Sequence, residues 1–429
     1  MTSRPLLGLV VAAVPLTLPG GALAQDRDPF TLRRTAPLLR DDVAGTRAIP
    51  GYEAPGLRMG ALRILPEVTL RSEADSNLLN RARDKEGDVA LTIAPAVTAA
   101  GDLGGTRLTL GASVSAVRHA RLTAQDHETF ALEAKAATSL TSVLELGVAA
   151  GWSRRAEPNY TAGAASSDGS ATLYQQIDAT LGAALGLGRT RVLGRLDLAR
   201  LDYLPVGTSG LRLDQSFRDQ CAVTATVRAE RTLAGGQVLF ASGALRRGTS
   251  LHPTAFSDRT ARGGEVLAGL RGELTHLISA ELGAGYQWRD YRSRLLRDYR
   301  GAAFRARIEW YATPLVSIAL NARRDIVDSG LPTAAGVVVD SVQLRGFYEV
   351  KRNLNLIATV AASREEYRDE VTAGLSAHAV SAGVEARLAL SRRYLVGAFA
   401  RYRNRSSDSA LLPRLGGAAE GGLSLRLSL

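Results

Sequence analysis

The chain has 429 residues, a net charge of +11 carried almost wholly by arginine, and 45% hydrophobic residues at a mean hydropathy of −0.02. That length admits one large domain or two to three ordinary ones. The arginines are dispersed among aspartates and glutamates, with no compact basic patch and no nucleic-acid-binding motif, which argues against a nucleic-acid partner. A single cysteine, Cys221, excludes an intramolecular disulfide framework and a cysteine-based zinc cluster, and reads as a small side chain on a strand.

Residues 1–24 have the three parts of a secretory signal: Arg4 as the basic start, the apolar run Leu6–Leu16, and the small residues Ala22-Leu23-Ala24 before a mature start at Gln25. Pro15, Pro19 and the Gly20-Gly21 pair argue against a continuous spanning helix. No later segment offers the roughly 20 apolar residues that a helix needs to cross a bilayer, so an exported chain would enter a membrane with strands. Residues 25–56 are polar and rich in Arg, Asp and Pro, and read as a flexible periplasmic arm.

From Leu57 onward the period is two. In Phe304-Arg305-Ala306-Arg307-Ile308-Glu309-Trp310 the even positions are apolar and the odd ones charged. A strand places such charges on one face, whereas a helix would scatter them. Segments of this kind begin near Leu62, Val89, Arg107, Thr129, Val143, Leu173, Arg191, Cys221, Val238, Val266, Ile278, Ala303, Val316, Val339, Leu354, Val380, Leu395 and Gly422. About eighteen strands of roughly 9–11 residues follow, and a count of sixteen also satisfies the pattern. Short connections such as Thr275-His276-Leu277 and Ala312-Thr313-Pro314 alternate with long polar ones such as Arg154–Gly169 and Asp202–Ser216. The predicted fold over residues 57–429 is an all-β, antiparallel up-and-down transmembrane barrel with short periplasmic turns and long extracellular loops, both termini being periplasmic. The final segment, Gly421–Leu429, alternates to its last residue like a strand presented to barrel-assembly machinery, with Leu429 in place of the usual terminal aromatic. Trp152, Tyr203, Trp288, Tyr291, Trp310, Tyr311, Tyr348, Tyr394 and Tyr402 fall near strand ends, where interfacial belts would place them beside outer-membrane lipid.

If the apolar face meets lipid, the other face lines the interior. The candidate lining arginines are Arg191, Arg195, Arg228, Arg271, Arg305, Arg307, Arg387 and Arg401, with the acids Glu230, Glu273, Glu309 and Glu385. Glu133, Lys135, Glu145, Asp197, Glu281 and Arg426 share that face. A charge on the lipid face would cost roughly 2–4 kcal/mol near the midplane, so this many charges require a wet interior. A surplus of arginine favours anions, while Arg–acid pairing could equally serve only to hold the wall's shape. His119, His127, His252, His276 and His378 fall in different segments without metal-ligand spacing, and neither a G-x-S-x-G elbow nor a phosphate loop is present. No catalytic residue, cofactor or metal is assigned, and the chain is not expected to be an enzyme.

Gly60–Val68, the following Ala74-Asp75-Ser76-Asn77, the Ile93-Ala94-Pro95 triplet, Gly285–Tyr291 and Leu315–Arg324 resemble strand signatures of the β-barrel porin family often called porin-2-like outer-membrane proteins. The resemblance spans about residues 57–429. It implies an outer-membrane channel for solutes, or a barrel exporting exopolysaccharide or capsule with periplasmic partners, for which the arm could dock. A closed structural or adhesin barrel is the third reading.

Overall fold

A computed structural model describes residues 44, 47, 51–160, 169–208, 211–254, 258–331, 336–367, 374–407, 412 and 416–429. The signal segment 1–24 lies outside them, as does most of 25–50.

Eighteen antiparallel strands form the wall: β1 (Leu62–Asp75), β2 (Asp88–Leu103), β3 (Thr106–His119), β4 (His127–Ser139), β5 (Leu144–Glu157), β6 (Thr172–Leu187), β7 (Thr190–Tyr203), β8 (Gln220–Thr232), β9 (Val238–Ser250), β10 (Ala261–Thr275), β11 (Ile278–Tyr291), β12 (Tyr299–Thr313), β13 (Val316–Asp328), β14 (Gly336–Lys351), β15 (Leu354–Tyr367), β16 (Ser376–Ala389), β17 (Tyr394–Ser407) and β18 (Gly416–Ser428). Each pairs with its chain neighbours. The ring closes where β1 meets β18, from Glu67↔Ser428 to Asp75↔Glu420. Closure leaves no free edge, which is what allows a sheet to sit in hydrocarbon.

The strands run 13–16 residues, longer than the expected 9–11. A bilayer needs only the shorter length, so their ends stand clear of it. Turns of 2–5 residues join them at one end and loops of 7–16 residues at the other. Outward positions are apolar and exposed, as at Val227, Leu245 and Val384. Belt positions Trp152, Trp310, Tyr348, Tyr394 and Tyr402 face outward, but Tyr203, Tyr291 and Tyr311 have inward parity, and Tyr311 is buried. Strand-end position alone does not decide facing; parity along the strand does.

The wall is incomplete at one seam. β12 pairs with β13 only from Arg305↔Arg323 toward the short turns, so the loop-side half of β13 pairs with β14 alone. That half leans inward, carrying Val327 and Asp328 over the lumen. Val337, Val339, Tyr367, Ala377 and Leu412 form a buried apolar cluster there, with Val327, Leu331 and Leu375 packed against it. The loop side of the barrel therefore has a small core of its own, set inside the ring.

At the short-turn end, the residues preceding β1 follow the rim. Leu57–Met59 pairs back on β1. Gly56 donates its N–H to the Leu429 carbonyl (3.0 Å), and Arg392 Nε donates to the Gly51 carbonyl (3.3 Å). Arg47 donates to the Pro314 carbonyl at 2.7 Å and lies 3.1 Å from Glu349; Ser317 Oγ donates to the Ala44 carbonyl at 2.6 Å.

Candidate functional site

Alternation delivers the charged residues to one enclosed space. A cavity of about 980 Å³ inside the ring is lined from β7 to β17. Of the sequence candidates, Arg191, Arg195, Arg228, Arg271, Arg305, Arg307, Arg401, Glu230 and Glu385 line it. Arg387, Glu309 and Glu273 have the same parity but lie outside its lining; Glu273 is exposed near the short turns.

Most of these charges cancel within a strand. Residues two apart on a strand share a face, roughly 7 Å from one another, and an arginine spans that gap. Arg195 thus reaches Asp197 at 2.7 Å, Arg307 reaches Glu309 at 2.9 Å, Arg323 reaches Asp325 at 2.8 Å and Arg387 reaches Glu385 at 2.6 Å. Arg228 holds both Glu230 and, across strands, Glu281 at 2.9 Å, while Arg271 lies 3.4 Å from Glu230 and 3.9 Å from Glu281. Pairs form between strands as well: Arg405 with Glu365 at 2.7 Å, Arg401 and Arg403 with Glu420, and Arg403 with Asp75 at 2.8 Å. The Asp75-Ser76-Asn77 signature is structural here. Asp75 also accepts the Asn77 N–H (2.7 Å), and the fully buried Asn77 amide donates to the Arg81 and Gly417 carbonyls at 2.8 and 3.1 Å.

One lining residue has no such partner, and the sequence reading missed it. The cavity is lined by eleven arginines against seven carboxylates, and among the described residues only Arg345 has no carboxylate within 4.0 Å. Its guanidinium lies 5.0 Å from the Phe347 ring, and its Nε is buried without a hydrogen-bond partner. The signal was present in the sequence: the same-face neighbours two residues away are Gln343 and Phe347, where most lining arginines in mid-strand have an acid.

The loop side adds a second cluster, which the sequence reading also missed. Asp328, at the end of the inward-leaning β13, is 2.9 Å from Arg289 and 3.6 Å from Arg246, and accepts from Gln220 at 2.8 Å. Burial alone would raise its pKa, but the Arg289 and Arg246 charges and the Gln220 hydrogen bond outweigh it and hold the carboxyl well below the usual carboxylate range. Arg259, from the β9–β10 loop, donates to the Ser329 and Leu331 carbonyls just beyond Asp328, and burial with the nearby Arg218 charge pushes it down to about 10. These contacts fasten the β13 end to β8, β9, β11 and the β9–β10 loop, and we refer to them as the latch. The five histidines occupy separate elements, and no group of three potential metal ligands occurs among the described residues.

A closed eighteen-strand barrel with an apolar exterior and a charged lumen defines a porin-type transmembrane channel. The chain belongs to the family described as "Putative beta-barrel porin 2", whose match covers residues 49–412. This family places it in the outer membrane, and the rule that outer-membrane barrels have short periplasmic turns and long extracellular loops orients it there. No curated protein matches the sequence. Among solved structures it is similar to OccK2 (OpdF) of Pseudomonas aeruginosa in complex with glucuronate, at 12% identity over 85% of this chain and 98% of that one, with a TM-score of 0.47. It is similar to OccAB3 of Acinetobacter baumannii at 10% identity, 86% and 100% coverage and a TM-score of 0.47. The siderophore receptor PirA of Pseudomonas aeruginosa is similar at 11% identity, 87% and 81% coverage and a TM-score of 0.45.

Proposed function

We propose that this barrel passes small anionic solutes across the outer membrane, with Arg345 as the residue that favours the anion. The supporting observation is the charge balance of the cavity: paired arginines and acids hold the wall, and the surplus centres on one cation whose neighbours are Gln343 and Phe347. A guanidinium free of a carboxylate has its donors available to a passing carboxylate or phosphate. A cavity of about 980 Å³ suits a small solute. Polymer export, the second reading that the family resemblance brings, would require the inward loops and the latch to move aside. The test is single-channel recording of the refolded chain from Gln25 onward in a planar bilayer under a potassium chloride gradient. An anionic reversal potential supports the reading; a cationic one, or no conductance from a heat-modifiable barrel, overturns it. Blocking by small sugar acids but not by neutral sugars would extend it to the solute class.

A further inference from the structure

We propose that the extracellular rim over β9–β12 is a binding surface for the phosphate-bearing glycolipid headgroups of the outer leaflet. On the outward face of these strands an apolar band rises through Leu239 and Leu245 on β9, Val266 and Leu270 on β10, and Leu282 and Tyr286 on β11. It ends at Trp288, whose ring lies across Gly264, where a Cβ would stand 2.5 Å from it. One step higher the face becomes basic. Arg247 and Arg262 are direct cross-strand partners, both outward and exposed. Like charges in direct opposition destabilise a sheet unless something between them is negative.

Asp290 supplies part of that charge, 3.8 Å from Arg262 and 3.2 Å from Arg300, and is thereby shared. The adjoining β11–β12 loop, Arg292 to Asp298, adds three more arginines around an exposed Leu295. Arg292 pairs with Asp258 at 2.7 Å, and Asp298 accepts the Tyr291 N–H at 2.9 Å. Arg247, Arg294 and Arg297 have no ion-pair partner among the described residues. Six arginines thus meet three aspartates over four neighbouring strands. Elsewhere on the outward face several arginines are paired with an acid, Arg118 with Glu128, Arg200 with Asp202 at 2.9 Å, and Arg324 with Asp340 at 2.6 Å.

Position and chemistry agree on the occupant. The patch begins about two residues above lipid-facing leucine, some 7 Å at strand rise, which is the headgroup level. A leucine flanked by arginines suits an interface whose depth is apolar and whose surface is anionic. Phosphate accepts the forked guanidinium donors with two oxygens, and one phosphate can bridge Arg247 and Arg262.

The experiment measures retention of lipid A by the detergent-solubilised full barrel, with dephosphorylated lipid A and inorganic phosphate as companion probes. Each basic residue at an anionic surface contributes roughly a fivefold gain in affinity. The triple variant Arg262→Gln, Arg294→Gln, Arg297→Gln is therefore expected to lose roughly 100-fold, and the control pair Arg118→Gln, Arg200→Gln to stay close to wild type. Should the triple variant not give a heat-modifiable barrel, the three single variants carry the test at about fivefold each. Equal retention by variant and wild type, equal retention of the dephosphorylated lipid, or displacement by millimolar inorganic phosphate would each overturn the proposal.

Discussion

Replacing Arg345 by alanine removes the lining cation that has no carboxylate partner, and its effect on selectivity can be worked out. A unit charge about 6 Å from an ion in bulk-like water contributes roughly 0.7 kcal/mol, about a threefold enrichment of anions and an equal depletion of cations. Together these change the anion-to-cation ratio by about tenfold. At 0.1 M salt, where the Debye length is about 10 Å, the same estimate falls to about fourfold. The assay is the reversal potential of single channels under a salt gradient, repeated from about 0.02 to 1 M potassium chloride. Arg345→Lys should keep most of the selectivity, because it keeps the charge. The double variant Arg307→Ala, Glu309→Ala removes a pair 2.9 Å apart and should leave selectivity unchanged. If Arg345→Ala leaves the reversal potential where it was, or if the paired deletion moves it as far, the reasoning fails.

Asp328→Asn leaves Arg246 and Arg289 facing one another without their shared carboxylate, so the loop-side cluster should open for longer, read as a higher open probability in single-channel traces. The latch should resist acid: a carboxyl depressed below its unfolded value contributes above that value, about 3.9, and loses its contribution only as pH falls through the folded pKa. Open probability should accordingly be flat from pH 8 to 4.5, and a transition near pH 6 would assign gating to another group. Val227→Arg on the outward face of β8 should cost roughly 2–4 kcal/mol in urea titrations of folding into vesicles. Cys221 is exposed on the outward face near the extracellular end of β8, so a membrane-impermeant maleimide should label it on intact cells but not in inside-out outer-membrane vesicles.

The ladder of strands was legible because closure into a lipid-embedded ring forces strict parity, which survives in Val384–Leu390 as plainly as in Phe304–Trp310. All eighteen predicted starts fall within six residues of a strand start, the largest offset being at Gly422, where the run from Gly416 is too rich in Gly and Ala to alternate. The loops were less legible. The connections 120–126, 292–298 and 368–375 were not singled out, since strand ends standing above the bilayer are polar on both faces and blend into them. Within the lumen, pairs two residues apart can be read from one sequence, as at Arg195 and Asp197. Pairs such as Arg405 with Glu365 need the inter-strand register, and Asp328 needs the broken β12–β13 seam; neither has a local signature.

The two-residue spacing of the lumen pairs also bears on how the channel responds to the sign of an applied voltage. Each rung is a small dipole along the pore axis, and successive strands run in opposite directions. Arg195→Asp197 on β7 and Arg323→Asp325 on β13 point their acids toward the extracellular side, whereas Arg228→Glu230 on β8 and Arg307→Glu309 on β12 point theirs toward the periplasm. These opposed dipoles offset one another only in part. Arg71 with Glu73 on β1, Lys135 with Glu133 on β4 and Arg387 with Glu385 on β16 also set their acids toward the extracellular side, and the rungs keep a net dipole along the axis. Arg345, six residues from the periplasmic end of β14, adds to that asymmetry, and an off-centre fixed charge makes current larger for one polarity than for the other.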